Sequence, residues 1–177
     1  LAFLAQSGRG KATMATQMGL EFGTAILTDD VLRVDRSPQG RPVVRRGAPG
    51  LRLRRTADEL AALAAAAMAR STSPDGRSVM RPAAVAGDLL GLAAIVIPRP
   101  DRDTTELVVR RLTGSQALVA LLAFPRVLGW RDPGVLERHF EQLGWIAAEV
   151  PVFTVRVPWG PPFADDLPRN LLDAIGW

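Results

Sequence analysis

The chain has no cysteine, one histidine and, among its 22 basic residues, one lysine, Lys11. Without thiols it forms neither disulfides nor thiolate metal sites. No apolar run reaches the roughly 18 residues of a membrane span. No signal peptide is visible either, so a cytoplasmic protein with no membrane association is expected. The net charge of +4 and pI near 11 would suit a nucleic-acid binder. The arginines are dispersed, however, and no basic patch is interleaved with aromatics, so nucleic acid is not the expected partner. Phosphate-bearing small molecules or an acidic partner account for the charge. What is present is ordinary for a globular fold: 47% hydrophobic and 23% charged residues over 177 positions, enough for one domain with a sizeable core.

The organising stretch is Ala5-Gln6-Ser7-Gly8-Arg9-Gly10-Lys11-Ala12-Thr13. An apolar run, Leu1 to Ala5, reads as a strand buried on both faces in the sheet interior. The glycines turn the chain, and Met14 to Leu20 reads as a helix. In that setting backbone N–H groups and the positive end of a helix converge on one anion, and a lysine adds a point charge. Triphosphate is the natural guest. Against the pattern G-x-x-x-x-G-K-[ST], Gly10 and Lys11 match, Ala5 replaces the first glycine and Ala12 replaces the metal-binding hydroxyl. Thr13 lies roughly 100° further round the helix and does not substitute for that hydroxyl. A chain that uses arginine everywhere else has its lysine where a compact, flexible ammonium is wanted.

The next segment, Gly23 to Thr28, reads as an apolar strand ending on Asp29-Asp30. In an open α/β sheet, ligands sit at the carboxyl ends of strands, so this pair is placed to handle Mg²⁺ and a nucleophile's proton. A hairpin follows, with strands at 31–35 and 42–46, then an extended piece at 51–54. The capping box Thr56-Ala-Asp-Glu59 opens a helix to about Arg70, and residues 71–77 form a loop. Gly91 to Ile97 reads as an interior strand and Pro98 to Asp103 as a turn. A strand at 106–112 leads into a helix from Thr113 to Phe124. A second helix, Pro133 to about Ile146, keeps Val135, Leu136, Phe140 and Leu143 on one apolar face and carries His139, read as structural. A strand at 150–157 and a helix from Leu167 to Ile175 close the chain. It opens on Leu1, inside a core strand, so an N-terminal segment is expected upstream.

The phosphate loop, Thr28-Asp29-Asp30, the hairpin, Gly50-Leu-Arg-Leu, Arg111-Leu-Thr-Gly-Ser-Gln-Ala-Leu and Val150-Pro-Val-Phe-Thr-Val together resemble the HPr kinase/phosphorylase family. The likeness is greatest to its small branches, some of which modify peptides in lasso-peptide biosynthesis. The resemblance covers nearly the whole chain, but only the loop and the Asp pair are specific. It implies one α/β nucleotide-binding domain, residues 1–177. Its central mixed sheet carries the phosphate loop and is flanked by helices, as in phosphoenolpyruvate carboxykinase. It also implies ATP and Mg²⁺ as cofactors, phosphoryl transfer to a serine-type hydroxyl on a peptide or small protein, and leaves a homo-oligomer open.

Carried over by position, Ser7, Gly8, Gly10, Lys11 and Thr13 match the family's loop, with Arg9 and Ala12 inside it. Asp29 and Asp30 match its catalytic, metal-associated aspartates, and Arg77 a later phosphate-contacting position. The family's histidine before the Asp pair is replaced by Thr24, so phosphorylase activity is not expected. Ala12 keeps a second reading open, a nucleotide-binding regulatory or scaffold module without turnover. A third is a structural domain that binds no nucleotide.

Overall fold

The computed structural model describes residues 1–47, 51–53, 60, 62, 69–72, 78–81, 87–124, 131–160 and 163–177. The principal sheet contains β1 (Ala2–Phe3), β8 (Ile95–Asp101), β10 (Val152–Pro158) and β9 (Val108–Arg111), in the order β1-β8-β10-β9. β1, β8 and β10 are parallel, while β9 runs antiparallel to β10. Helices cover both faces. Alternation along the strands sends Ile95, Ile97 and Val152 to one side, against Ala117 and Leu121 of α2 (Gly114–Leu122) and Ile146 of α3 (Pro133–Glu149). Ala94, Val96, Phe153, Val155 and Val157 face the other side, against Met14 of α1 (Lys11–Phe22) and Leu167 and Leu171 of α4 (Leu167–Ile175). The domain is thus α/β, with a mixed sheet between helical layers.

Two smaller sheets accompany it. β2 (Arg33–Arg36), β3 (Pro42–Arg45) and β7 (Leu89–Gly91) form an antiparallel sheet, and β4 (Leu51–Leu53), β6 (Ser78–Arg81) and β5 (Ala69–Thr72) form another. The hairpin falls where expected. Gly40 takes φ +79°, its N–H donates to the Ser37 carbonyl, and the Ser37 hydroxyl accepts from the Arg41 N–H at 3.0 Å. Val44 and Leu92 join the α2–α3 side of the principal core.

Several sequence expectations need correction. β1 is an edge strand among the described residues, not an interior one, and Leu1 is 37% exposed. Its apolar character reflects two covered faces: Ala2 and Leu4 pack on one core and Phe3 on the other, which requires no second strand neighbour. Residues 23–28 enter no described sheet. Their described link is to the hairpin's end, where the Leu27 carbonyl accepts from the Gly47 N–H at 3.1 Å. Leu60 and Ala62 are helical, but 69–72 is strand β5, so no helix continues to Arg70. The capping box itself lies outside the described residues.

The run 91–97 is divided between β7 and β8, and β8 continues through Pro98 and Pro100 to Asp101 instead of turning. The prolines fit by parity. The Ala94 and Val96 carbonyls accept from Ala2 and Leu4 of the β1 side, so the imide nitrogens of 98 and 100 face that same side, beyond the short β1 ladder. On α3, Leu136 and Phe140 are about half exposed, and Leu143 and Ile146 make the buried contacts.

Other helix starts follow their sequence signals. The Gln116 side chain accepts from the Thr113 N–H at 3.2 Å, and Asp132 caps α3 by accepting from the Val135 N–H at 3.0 Å.

Candidate functional site

The carboxyl ends of the three parallel strands lie along one edge of the principal sheet, and the Gly8–Gly10 turn is built there. The Leu4 N–H donates to the Val96 carbonyl at 2.9 Å, which anchors the chain as it leaves β1. Ser7 and Gly8 form a turn, and Gly8 and Gly10 take φ of +82° and +81°, a left-handed geometry that side chains resist. Gly10 is the N-cap of α1, and the first helical bond runs from the Met14 N–H to the Gly10 carbonyl at 2.9 Å. The preceding amides, those of Lys11, Ala12 and Thr13, have no intrahelical acceptor, and the N-cap residue, a glycine, brings no capping side chain. The first turn also contains no acidic residue, so the positive end of the helix is uncompensated from within.

The far end of the chain fixes the loop. A Cβ at Gly10 would lie 2.8 Å from the Phe163 ring and 3.9 Å from Pro100, and one at Gly160 would lie 2.5 Å from the same ring. Phe163, 5% exposed, is therefore seated between two glycines, one in the loop and one just past β10. Gln17 donates to the Phe163 carbonyl at 3.3 Å, binding α1 to this segment, while its own Oε1 is buried without a partner. These contacts hold the turn in place before any ligand arrives.

Within this frame Ser7, Gly8 and Arg9 are exposed, and Gly10, Lys11 and Ala12 are partly buried. Thr13 is buried at 8% exposure, which does not suit a hydroxyl that must reach a bound metal in place of residue 12. No ion pair among the described residues engages Lys11. Asp29 is partly buried and Asp30 exposed, in a bend and not at a strand end. Their segment is held by packing of Thr28 on Gly47, where an added Cβ would meet the Thr28 hydroxyl at 2.4 Å, and by Leu27 against the core that also receives Leu4. Arg77 lies outside the described residues.

The sequence reading missed the acidic and aromatic groups at the ends of β8 and β10. Asp101 ends the strand beside β1, accepts from the Asp103 N–H at 3.0 Å and pairs with Arg156 at 3.6 Å. Arg102 stacks over Trp159 with 4.7 Å to the ring centre. The signal was an apolar run closing on an acid, hidden by the prolines of 98–100. Among the described residues no group of three or more His, Asp or Glu is placed to hold a metal.

Two open depressions lie away from the loop. One, of about 480 Å³, sits where β9 meets α2 and α3 meets β10, and the other, of about 380 Å³, lies between β2 and α3. No described helix is long and apolar enough to cross a membrane. Comparison with protein-family models, with characterised proteins and with solved structures finds no match for this chain.

Proposed function

We propose that the domain binds ATP with Mg²⁺ and transfers its γ-phosphoryl group to a serine-type hydroxyl on a peptide or small protein in the cytoplasm. One observation carries the reading: the chain's lone lysine stands at the first position of an uncapped, acid-free helix, directly after two left-handed glycines at the carboxyl edge of a parallel strand. Amides without intrahelical acceptors, the positive end of a helix dipole and a lysine at the first helical position suit a polyphosphate.

In this reading the Lys11 ammonium and the amides of Gly8 and residues 10–13 hold the β- and γ-phosphates, the Arg9 amide being spent on the Gln6 carbonyl at 3.3 Å. Asp29 and Asp30 divide two tasks, contact with the metal and acceptance of the hydroxyl proton. The acceptor oxygen forms a bond to the γ-phosphorus as the bond to the β–γ bridging oxygen breaks. ADP leaves with that electron pair, and the proton passes to the carboxylate. Bound Mg²⁺ supplies neutralisation of the phosphate charge. Catalysis is otherwise positioning and electrostatics.

Ala12 favours a second reading, a nucleotide-binding regulatory or scaffold module, because the residue that normally supplies a hydroxyl to the metal cannot do so here. An assay of phosphate transfer from ATP to serine-bearing peptides, across a range of Mg²⁺ and Mn²⁺, separates the two. Phosphopeptide supports the kinase, whereas tight nucleotide binding with no product supports the module.

A further inference from the structure

Among the described residues, the β2-β3-β7 sheet has an open edge at β2. The Leu92 N–H donates to the Pro42 carbonyl and the Arg46 N–H to the Asp88 carbonyl, so the even-numbered residues of β3 point to β7 and the odd-numbered ones, Val43 and Arg45, point to β2. Their partners Asp35 and Arg33 therefore point back to β3. The backbone groups of Val34 and Arg36 point outward. One of these is engaged by a side chain: Gln142 of α3 donates its amide to the Val34 carbonyl at 2.9 Å. Among the described residues, the Val34 and Arg36 N–H groups have no backbone acceptor.

This edge is one wall of the depression of about 380 Å³, and Arg138, Glu141, Gln142 and Trp145 of α3 form the other. An exposed sheet edge is where proteins add an extended peptide as an extra strand, and here, among the described residues, only the Val34 carbonyl is engaged, by a side chain that a peptide can displace. The Gln142 amide occupies the position that a peptide N–H would take. Charge selects the guest. Asp35 is already held by Arg33 at 3.1 Å and Arg45 at 3.2 Å, so among the lining residues two arginines, Arg36 and Arg138, stand against one remaining acid, Glu141. Arg36 is further fixed by stacking on Trp145, 4.2 Å from the ring centre. The strand also leads back along the chain to Asp30, four residues before Val34, a reach of at most about 14 Å.

We propose that the β2–α3 trough docks an extended, acidic segment of the phosphate-accepting peptide by strand addition, delivering a serine a few residues away to Asp29 and Asp30. The docking stands on the edge geometry, while the delivery rests on the kinase reading above. The test uses the full chain and a ten-residue probe, an alternating valine–glutamate segment with a serine beyond each end. Two control probes carry lysine for glutamate or N-methyl groups on alternate amides.

At saturating glutamate probe, exchange of the Val34 and Arg36 amides slows by about tenfold, as one net hydrogen bond each would give. The control probes leave it unchanged. Arg138→Glu, an exposed change checked for folding by its melting curve, weakens the glutamate probe by about tenfold. Gln142→Ala, which frees the strand edge, does not weaken it. Unchanged exchange at Val34 and Arg36, or equal slowing by the N-methyl probe, overturns the docking. ATP titration of the same samples, run separately, shows whether the nucleotide reading survives that result. Docking without phosphate transfer would support the trough and count against the kinase.

Discussion

The lysine half and the aspartate half of the proposed site are built differently. The loop before α1 is tied to the principal sheet at one end and packed under Phe163 at the other, so its glycines are held in a left-handed form by residues distant in sequence. The Asp29-Asp30 bend instead follows a segment outside every described sheet, located by the Leu27–Gly47 hydrogen bond and by Thr28 against Gly47. The glycine turn is thus fixed by the core, whereas the position of the carboxylates depends on the hairpin. Each half contains one glycine with no room for a side chain, so each can be broken separately.

The largest effect is expected from Gly10→Ala. A left-handed φ and a contact of 2.8 Å with the Phe163 ring act together, and the loss of stability should be about 3 kcal/mol, with nucleotide binding abolished. Denaturant melts and ATP titration check both parts. Gly47→Ala meets Thr28 at 2.4 Å without unfavourable φ, so the loss is about 1–3 kcal/mol, the cost of overpacking alone. Its signature is selective: phosphate transfer falls while metal-free ATP affinity persists. Should both glycine variants lose metal-free affinity alike, the two halves are one unit and the comparison fails.

Ala12→Ser sharpens the contrast by adding a metal ligand to the lysine half. Turnover should rise by about tenfold, by analogy with the effect of single groups around metal sites. The rise should vanish in Asp30→Asn, measured across several Mg²⁺ concentrations. The smallest effect concerns the hairpin. Hydrogen bonding from Arg33, aided by Arg45, holds the Asp35 carboxyl below its ordinary value of 3.8. Its contribution is therefore complete above that value and is lost as pH falls through the lowered one. Thermal melts at acid pH should show a small, salt-sensitive loss that the Arg33→Ala, Arg45→Ala double variant lacks, since the pairs are exposed.

Local signals were legible in the chain where they act locally. The glycine turn before α1, the hairpin around Gly40, the capping at Thr113 and the span 167–175 all follow from adjacent residues. What escaped depends on distant partners. Pro98 and Pro100 read as a turn because the open side of the β8 ladder is decided by how soon β1 ends. Residues 23–28 have strand composition but find no ladder. In the site, the turn and its lysine were visible. The seat of Phe163 on Gly10 was not, because no local pattern links residues at opposite ends of the chain. Leu136 and Phe140 have helical spacing that matches a buried face, yet the packing of α3 leaves them half exposed.

The central claim, that both halves act on one nucleotide, is tested most directly by titrating ATP into the wild type, Lys11→Ala and Asp30→Asn, each with and without Mg²⁺. Lys11→Ala should lose about 2–3 kcal/mol of affinity in both conditions, the value of a charge-assisted phosphate contact. Asp30→Asn should lose only the increment that Mg²⁺ adds. Equal affinity of wild type and Lys11→Ala, or a Mg²⁺ increment unchanged in Asp30→Asn, would contradict the account.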